Sequence, residues 1–195
     1  MIMRSLVLRC VCFVVLLFGI VGSVFAQKSI RQVDFKNFTY PLSGSKLGHD
    51  RLQWLDVATK KHTRLVDGKN DEGFTLESVT FADVMGEGND DAIVVLRWSS
   101  GGSQSTNYVY ICSFIAGAPK IAAYFHSGDR AYSGLYKVYG EGRRLIVELN
   151  DPQKMAGDCC SSGFVRTRYR WVDGKFRMVG KREYGAVEIS GAPSL

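Results

Sequence analysis

The apolar residues of this chain recur at the spacing of β-strands and almost nowhere at the spacing of helices. No window of eleven residues sustains apolar side chains at i, i+3, i+4 and i+7 between helix caps. Short apolar runs instead follow one another at roughly ten-residue intervals and are separated by glycine-containing turns. This pattern predicts a mostly β protein, formed by a single antiparallel β domain that is either a sandwich or a partly open barrel.

The N-terminus has the composition of a secretory signal peptide. Arg4 and Arg9 precede an uncharged apolar run at Val11–Val21, and Val24-Phe25-Ala26 supplies compact residues before a cut at Gln27. The run is shorter than the ~20 residues of a bilayer span, although an uncleaved anchor is the alternative. We therefore predict a signal peptide over residues 1–26, one β-rich domain over residues 27–195, and a periplasmic or secreted protein with no stable membrane span after cleavage.

The charge of the mature chain argues against a nucleic-acid binder. Residues 27–195 carry 23 basic and 19 acidic side chains, because the predicted signal peptide removes two arginines and no acid. A net charge of +4 favours solubility and weak affinity for anionic surfaces. We expect no nucleic acid among the partners.

Two apolar runs predict the centre of the sheet. Ala92–Leu96 and Tyr108–Ile115 are apolar on both faces, so each strand is expected to be buried on both sides. Val33–Tyr40 alternates in polarity and predicts a first strand or an extended arm.

The C-terminal hairpin is the clearest element. Asp173-Gly174 predicts a type I′ turn, since both central residues need positive φ. That turn sets a register in which Val172 opposes Lys175, and Arg170 opposes Arg177. Alternation then places Val165, Thr167, Tyr169, Trp171, Phe176 and Met178 on one face. The opposite face carries Arg166, Arg168, Arg170 and Arg177.

This arginine face is the first candidate site. Opposed like charges destabilise a β-pair by a few tenths to about 1 kcal/mol, so neighbouring carboxylates or an anionic partner are expected to offset them. Arginine forks suit phosphate and carboxylate, which indicates an anionic envelope component or an acidic glycan as the partner. The alternative is a solvated edge hairpin whose charges discourage aggregation.

An acidic loop is the second candidate site. Asp83, Glu87 and Asp91 fall at positions 1, 5 and 9 of a calcium-loop pattern, and Gly88 falls at position 6. Met85 at position 3 offers no oxygen, and Val94 replaces the bidentate glutamate at position 12. Calcium is the one cofactor that the sequence suggests, and the alternative is that the two aspartates accept backbone N–H bonds and hold the turn.

The segment Phe81–Val95 resembles a signature of small exported bacterial proteins similar to the LppP/LprE lipoproteins. The signature is itself similar to the calcium loops of FG-GAP/VCBS propeller repeats. Gly157–Gly163 and Arg166–Trp171 resemble the C-terminal part of such proteins. The resemblance covers about 30 of the 169 mature residues. It implies an exported β protein more than an activity. The chain departs from the lipoproteins in lacking a lipidation cysteine.

The mature chain keeps three cysteines, Cys112, Cys159 and Cys160. In an oxidising compartment a bridge from Cys112 to one of the other two is the natural pairing, and free buried thiols are the alternative. Catalytic motifs for hydrolases, zinc proteases and phosphate binding are absent from the sequence. The function expected is therefore a non-catalytic binding or envelope-associated role, and the alternative is a secreted hydrolase whose site is not recognisable from sequence.

Overall fold

The computed structural model describes residues 29–43, 52–102, 104–129, 133–154 and 161–187. The predicted signal peptide lies outside these residues. Within them three 3₁₀ turns lie at Ile30–Gln32, Phe35–Asn37 and Pro152–Lys154. Eleven described strands follow the chain in order: β1 (Thr39–Pro41), β2 (Gln53–Leu55), β3 (His62–Arg64), β4 (Phe74–Ala82), β5 (Asp91–Ser99), β6 (Ser105–Ile115), β7 (Ala118–Asp129), β8 (Leu135–Gly140), β9 (Leu145–Asn150), β10 (Gly163–Val172) and β11 (Lys175–Ala186).

The strands form three sheets, and every strand pair is antiparallel. A five-stranded sheet has the order β2-β7-β6-β5-β4, a four-stranded sheet has the order β11-β10-β9-β8, and β1 pairs with β3. Among the described strands no sheet closes on itself. The predicted antiparallel β fold is therefore confirmed, and the two large sheets pack on each other across a shared core, as in a sandwich.

The five-stranded sheet is buried on both faces. Ala92, Val94 and Leu96 of β5 pack into a cluster with the N-terminal layer. Ile93 and Val95 pack into a second cluster with the four-stranded sheet. All five side chains are at most 4 % exposed, which confirms the prediction from their uninterrupted apolar run.

The two large sheets come into close contact where β8 ends beside β4. A Cβ atom at Gly140 would overlap Ala82 and come within 2.9 Å of Val84 Cγ1. Only glycine therefore fits at this corner. Further along the interface, Trp54 stacks on Phe176 with ring centroids 4.8 Å apart and meets Tyr169 edge-on.

The segment Val33–Tyr40 does not form the strand or extended arm that its alternation predicts. Asp34 accepts hydrogen bonds from Lys36 N and Asn37 Nδ2, and this local bonding holds the 3₁₀ turn at Phe35–Asn37. The strand starts only at Thr39. Tyr40 is fully buried and donates to Phe35 O at 2.7 Å, so the turn is also tied to the core.

The C-terminal hairpin has the predicted register. Val172 pairs with Lys175, Trp171 with Phe176, and Arg170 with Arg177. Asp173 and Gly174 have φ of 50° and 74°, as a type I′ turn requires. Tyr169, Trp171 and Phe176 join the core between the sheets. Met178 lies opposite Tyr169 but is 55 % exposed, because β11 is the edge strand.

Candidate functional site

The acidic loop between β4 and β5 is held by its own aspartates. Asp91 is 2 % exposed, and its Oδ2 accepts hydrogen bonds from Val84 N at 3.0 Å and Met85 N at 2.9 Å. Burial raises the pKa of Asp91, against the lowering effect of these backbone donors and of Ser113. The Met85 side chain packs into the core between the sheets. Met85, at position 3 of the loop, therefore contributes an apolar side chain to the core and no oxygen ligand.

Asp83 closes the second half of the same loop. Its Oδ1 accepts from Gly86 N at 2.7 Å, and its Oδ2 accepts from Gly88 N at 3.1 Å. Arg143 Nε lies 3.5 Å from Asp83 Oδ2, so the carboxylate is also neutralised by a cation.

These contacts determine how well the loop suits a metal. Calcium takes six to eight oxygen ligands, whereas both aspartates already bind backbone amides and Glu87 is exposed. Across the part of the chain that the structure describes, no three His, Cys, Asp or Glu side chains are grouped to hold a metal ion. Calcium binding by Asp83, Glu87 and Asp91 stays a prediction, and the arrangement observed is the structural alternative.

The arginine face lies on the outer surface of the four-stranded sheet, and two of its arginines are paired with carboxylates. Arg166 Nε donates to Glu148 Oε1 at 2.7 Å, and Arg166 Nη1 lies 3.7 Å from Glu183 Oε2. Arg168 Nη1 donates to Glu183 Oε1. This hydrogen bond lowers the pKa of Glu183, and it raises the pKa of Arg168.

Glu148 lies at the centre of that face and is 3 % exposed. Register places it between Lys137 of β8 and Arg166 of β10. Its Oε1 also accepts from the Tyr139 hydroxyl at 3.2 Å. Glu148 and Glu183 were not predicted as the partners of these arginines. A charged residue inside the apolar run Leu145–Leu149 was the one available signal.

Arg170 and Arg177 differ from the other two arginines. They oppose each other across the hairpin and are both exposed. Within the described residues, none of the ion pairs includes either guanidinium. The structure therefore splits the predicted set of four into a neutralised pair near the sheet centre and an exposed cationic pair near the hairpin tip.

The outer face also carries aromatic rings that the sequence analysis did not single out. Tyr136 of β8 stacks on Phe164 of β10 with centroids 5.5 Å apart and planes 14° from parallel. The Arg166 guanidinium carbon lies 5.2 Å from the Phe164 centroid, and Lys137 Nζ lies 5.1 Å from the Tyr139 centroid. A bulge between Leu135 and Lys137 turns Tyr136 onto this face.

The three tryptophans pack on both sides of the five-stranded sheet. Trp54 and Trp171 pack into the core between the sheets. Trp98 packs on the opposite side of the five-stranded sheet, and its Nε1 donates to Glu72 O at 3.0 Å. Their role in the described structure is packing.

Cys112 is fully buried in β6, and burial raises the pKa of its thiol. It pairs with Ile121, whereas His126 pairs with Tyr108, about 13 Å away along the strand. The buried thiol and this imidazole are thus not brought together. Cys159 and Cys160 lie outside the described residues, so the disulfide stays a prediction.

Comparisons with protein-family models, curated proteins and solved structures found no match. The resemblance to the LppP/LprE lipoproteins therefore remains an expectation from the sequence. Among the residues described, no helix has the length and apolar character that crossing a membrane requires.

Proposed function

We propose that this protein is an exported binding protein and that the outer face of its four-stranded sheet binds an anionic polymer. The observation that carries the proposal is the exposed pair Arg170–Arg177. Two arginines opposed in a β-pair destabilise it, and the described residues place a carboxylate beside Arg166 and Arg168 but form no ion pair with these two. An anionic ligand would offset that repulsion.

The charge of the whole hairpin supports a polymer over a single small anion. Residues 163–186 contain seven basic side chains and two acidic ones. Lys175, Lys181 and Arg182 are also exposed on β11, on either side of Arg177. Cations spread along a strand at a spacing of several ångströms suit a ligand that carries repeated negative charges.

Chromatography on immobilised heparin tests the proposal. The probe variant carries Arg170→Gln and Arg177→Gln, which leaves the paired arginines in place. The matched control carries Lys60→Gln and Lys61→Gln, two exposed lysines of the turn before β3. We expect the probe variant to elute at lower salt than the wild type and the control to elute with the wild type.

The salt dependence gives a quantitative criterion. Each lost contact between a cation and a polyanion lowers the slope of log affinity against log salt by about one, so the double variant should lose about two. If the probe variant and the lysine control elute together with the wild type, the arginine pair is only a charged edge that discourages aggregation, and the proposal is wrong.

Export itself is supported by the leader-like composition of residues 1–26. Expression of the full chain in a bacterium, followed by mass measurement of the secreted or periplasmic product, tests it. An N-terminus at Gln27 is the expected result. A full-length product retained in the cytoplasm would contradict export without bearing on the anion site.

A further inference from the structure

The aromatic end of the outer face carries two stacked rings beside the arginines, and one of them is partly exposed. Tyr136 is 40 % exposed, and the nearly parallel Phe164 ring covers one of its faces. Phe164 in turn lies against Gly185 of β11, where a Cβ atom would come within 2.7 and 2.9 Å of ring carbons Cε1 and Cε2. Because Gly185 has no side chain, the Phe164 ring can lie across β11 at this position.

The face changes character in order along β10. The aromatic row of Tyr136 and Phe164 comes first, and the row of Arg166 with its two glutamates comes next. Arg170 and Arg177 follow about 20 Å from Phe164, at 3.3 Å per residue. One extended ligand would thus meet apolar rings, a neutralised row and a cationic row in turn.

We infer that the ligand of this face is an acidic polysaccharide. The inference rests on the proposed function and names its ligand class. A pyranose ring presents a face of C–H groups that packs against an aromatic ring, while its carboxylate or sulfate groups suit arginine forks. Sugar polymers offer both along one chain, and their uncharged ring faces can pass the carboxylate of Glu183, which is half exposed.

The same order of rows disfavours the other anionic partners. Polyphosphate carries a charge at every unit and offers no uncharged ring face, so it would meet Glu183 unfavourably in the middle row. A membrane surface requires projecting apolar side chains, whereas here the exposed ring of Tyr136 is stacked on its neighbour among charged residues.

Calorimetric titration of the purified protein with three probes tests the inference. The probes are an oligogalacturonate, inorganic polyphosphate and oligothymidylate of matched charge. The variant Tyr136→Ser removes the exposed ring. Tyr184→Ser is its matched control, because Tyr184 is 65 % exposed and pairs with Val165 on the opposite face.

We expect Tyr136→Ser to weaken oligogalacturonate binding about five- to ten-fold, which is the size of one aromatic stacking contact, and to leave polyphosphate binding unchanged. Tyr184→Ser should change neither affinity, and the Arg170→Gln/Arg177→Gln variant should lower both. Equal affinity of Tyr136→Ser and wild type for oligogalacturonate, or tighter binding of oligothymidylate than of the sugar, overturns the polysaccharide assignment. If the wild type binds none of the probes, the anion site itself fails.

Discussion

Replacing Arg166 with glutamine should destabilise the protein far more than any other single change on the arginine face. Arg166 Nε donates to Glu148 Oε1 at 2.7 Å, and Glu148 is 3 % exposed. Without the guanidinium, a buried carboxylate would keep only the Tyr139 hydroxyl as its described side-chain donor. Breaking a buried ion pair from one side costs about 3–5 kcal/mol.

The expected loss is smaller here because the Arg166 side chain is 30 % exposed. Solvent screens a partly exposed pair, so we expect the free energy of unfolding to fall by about 2–3 kcal/mol. For a chain of this length each kcal/mol shifts the melting temperature by about 2–4 °C, which predicts a decrease of about 4–12 °C. Urea unfolding followed by tryptophan fluorescence, together with calorimetry, measures both quantities.

Two further variants separate the ion pair from a general effect of losing charge. Arg170→Gln removes an exposed arginine from the same strand and should change stability by no more than about 0.5 kcal/mol. Arg166→Gln combined with Glu148→Gln should lose less than Arg166→Gln alone, since no buried charge is left unpaired. Two results would refute the buried ion pair. One is a loss of stability in Arg166→Gln as small as that in Arg170→Gln, and the other is a double variant that loses as much stability as Arg166→Gln alone.

Two predictions concern the acidic loop. Burial raises the folded-state pKa of Asp91. The stability that this shift contributes is therefore fully present below the unfolded pKa of about 3.9 and is lost as the pH rises through the folded pKa. Urea unfolding at pH 7, 6, 5 and 4 should show the wild type gaining stability relative to Asp91→Asn as the pH falls, and a constant difference would contradict the pKa shift. Asp83 and Asp91 already accept hydrogen bonds from backbone amides, so we expect millimolar calcium to leave the melting temperature unchanged. Calcium at a hundred times the dissociation constant of a real site would add about 2.7 kcal/mol to the free energy of unfolding. A rise in melting temperature that EDTA and Asp83→Asn both abolish would establish the calcium site instead.

Local patterns predicted parts of the sheets. Apolar runs located β5 and β6, and the Asp173-Gly174 turn predicted the pairing of β10 with β11 near the hairpin tip. These signals succeed because the bonding that creates them lies within a few residues of the turn. Local bonding also explains why the predicted strand at Val33–Tyr40 was wrong. The Asp34 side chain accepts hydrogen bonds from the residues that follow it, and these bonds favour a 3₁₀ turn over a strand.

Only part of the candidate site could be predicted from the sequence. The four arginines were found from alternation, but their division into a paired and an exposed set depends on Glu148, 18 positions from Arg166, and on Glu183 beyond a bulge. The irregularity between Arg166 and Arg168 shifts the register by two residues, so that Arg166 lies opposite Glu183 and not opposite Lys181. The aromatic pair of Tyr136 and Phe164 was missed for a related reason, since it forms across the intervening strand β9.

By itself the sequence determined that the chain is antiparallel β, that β5 is buried on both faces, and that the C-terminal hairpin carries arginines on one side. Those properties follow from side-chain periodicity and turn chemistry, which act over a few residues. Only the tertiary structure decided that the sheets stack as a sandwich, that the acidic loop uses its aspartates on backbone amides, and that Arg170 and Arg177 differ from Arg166 and Arg168. Each of these depends on which strands become neighbours, and burial and pairing between distant residues exist only once the sheets have formed.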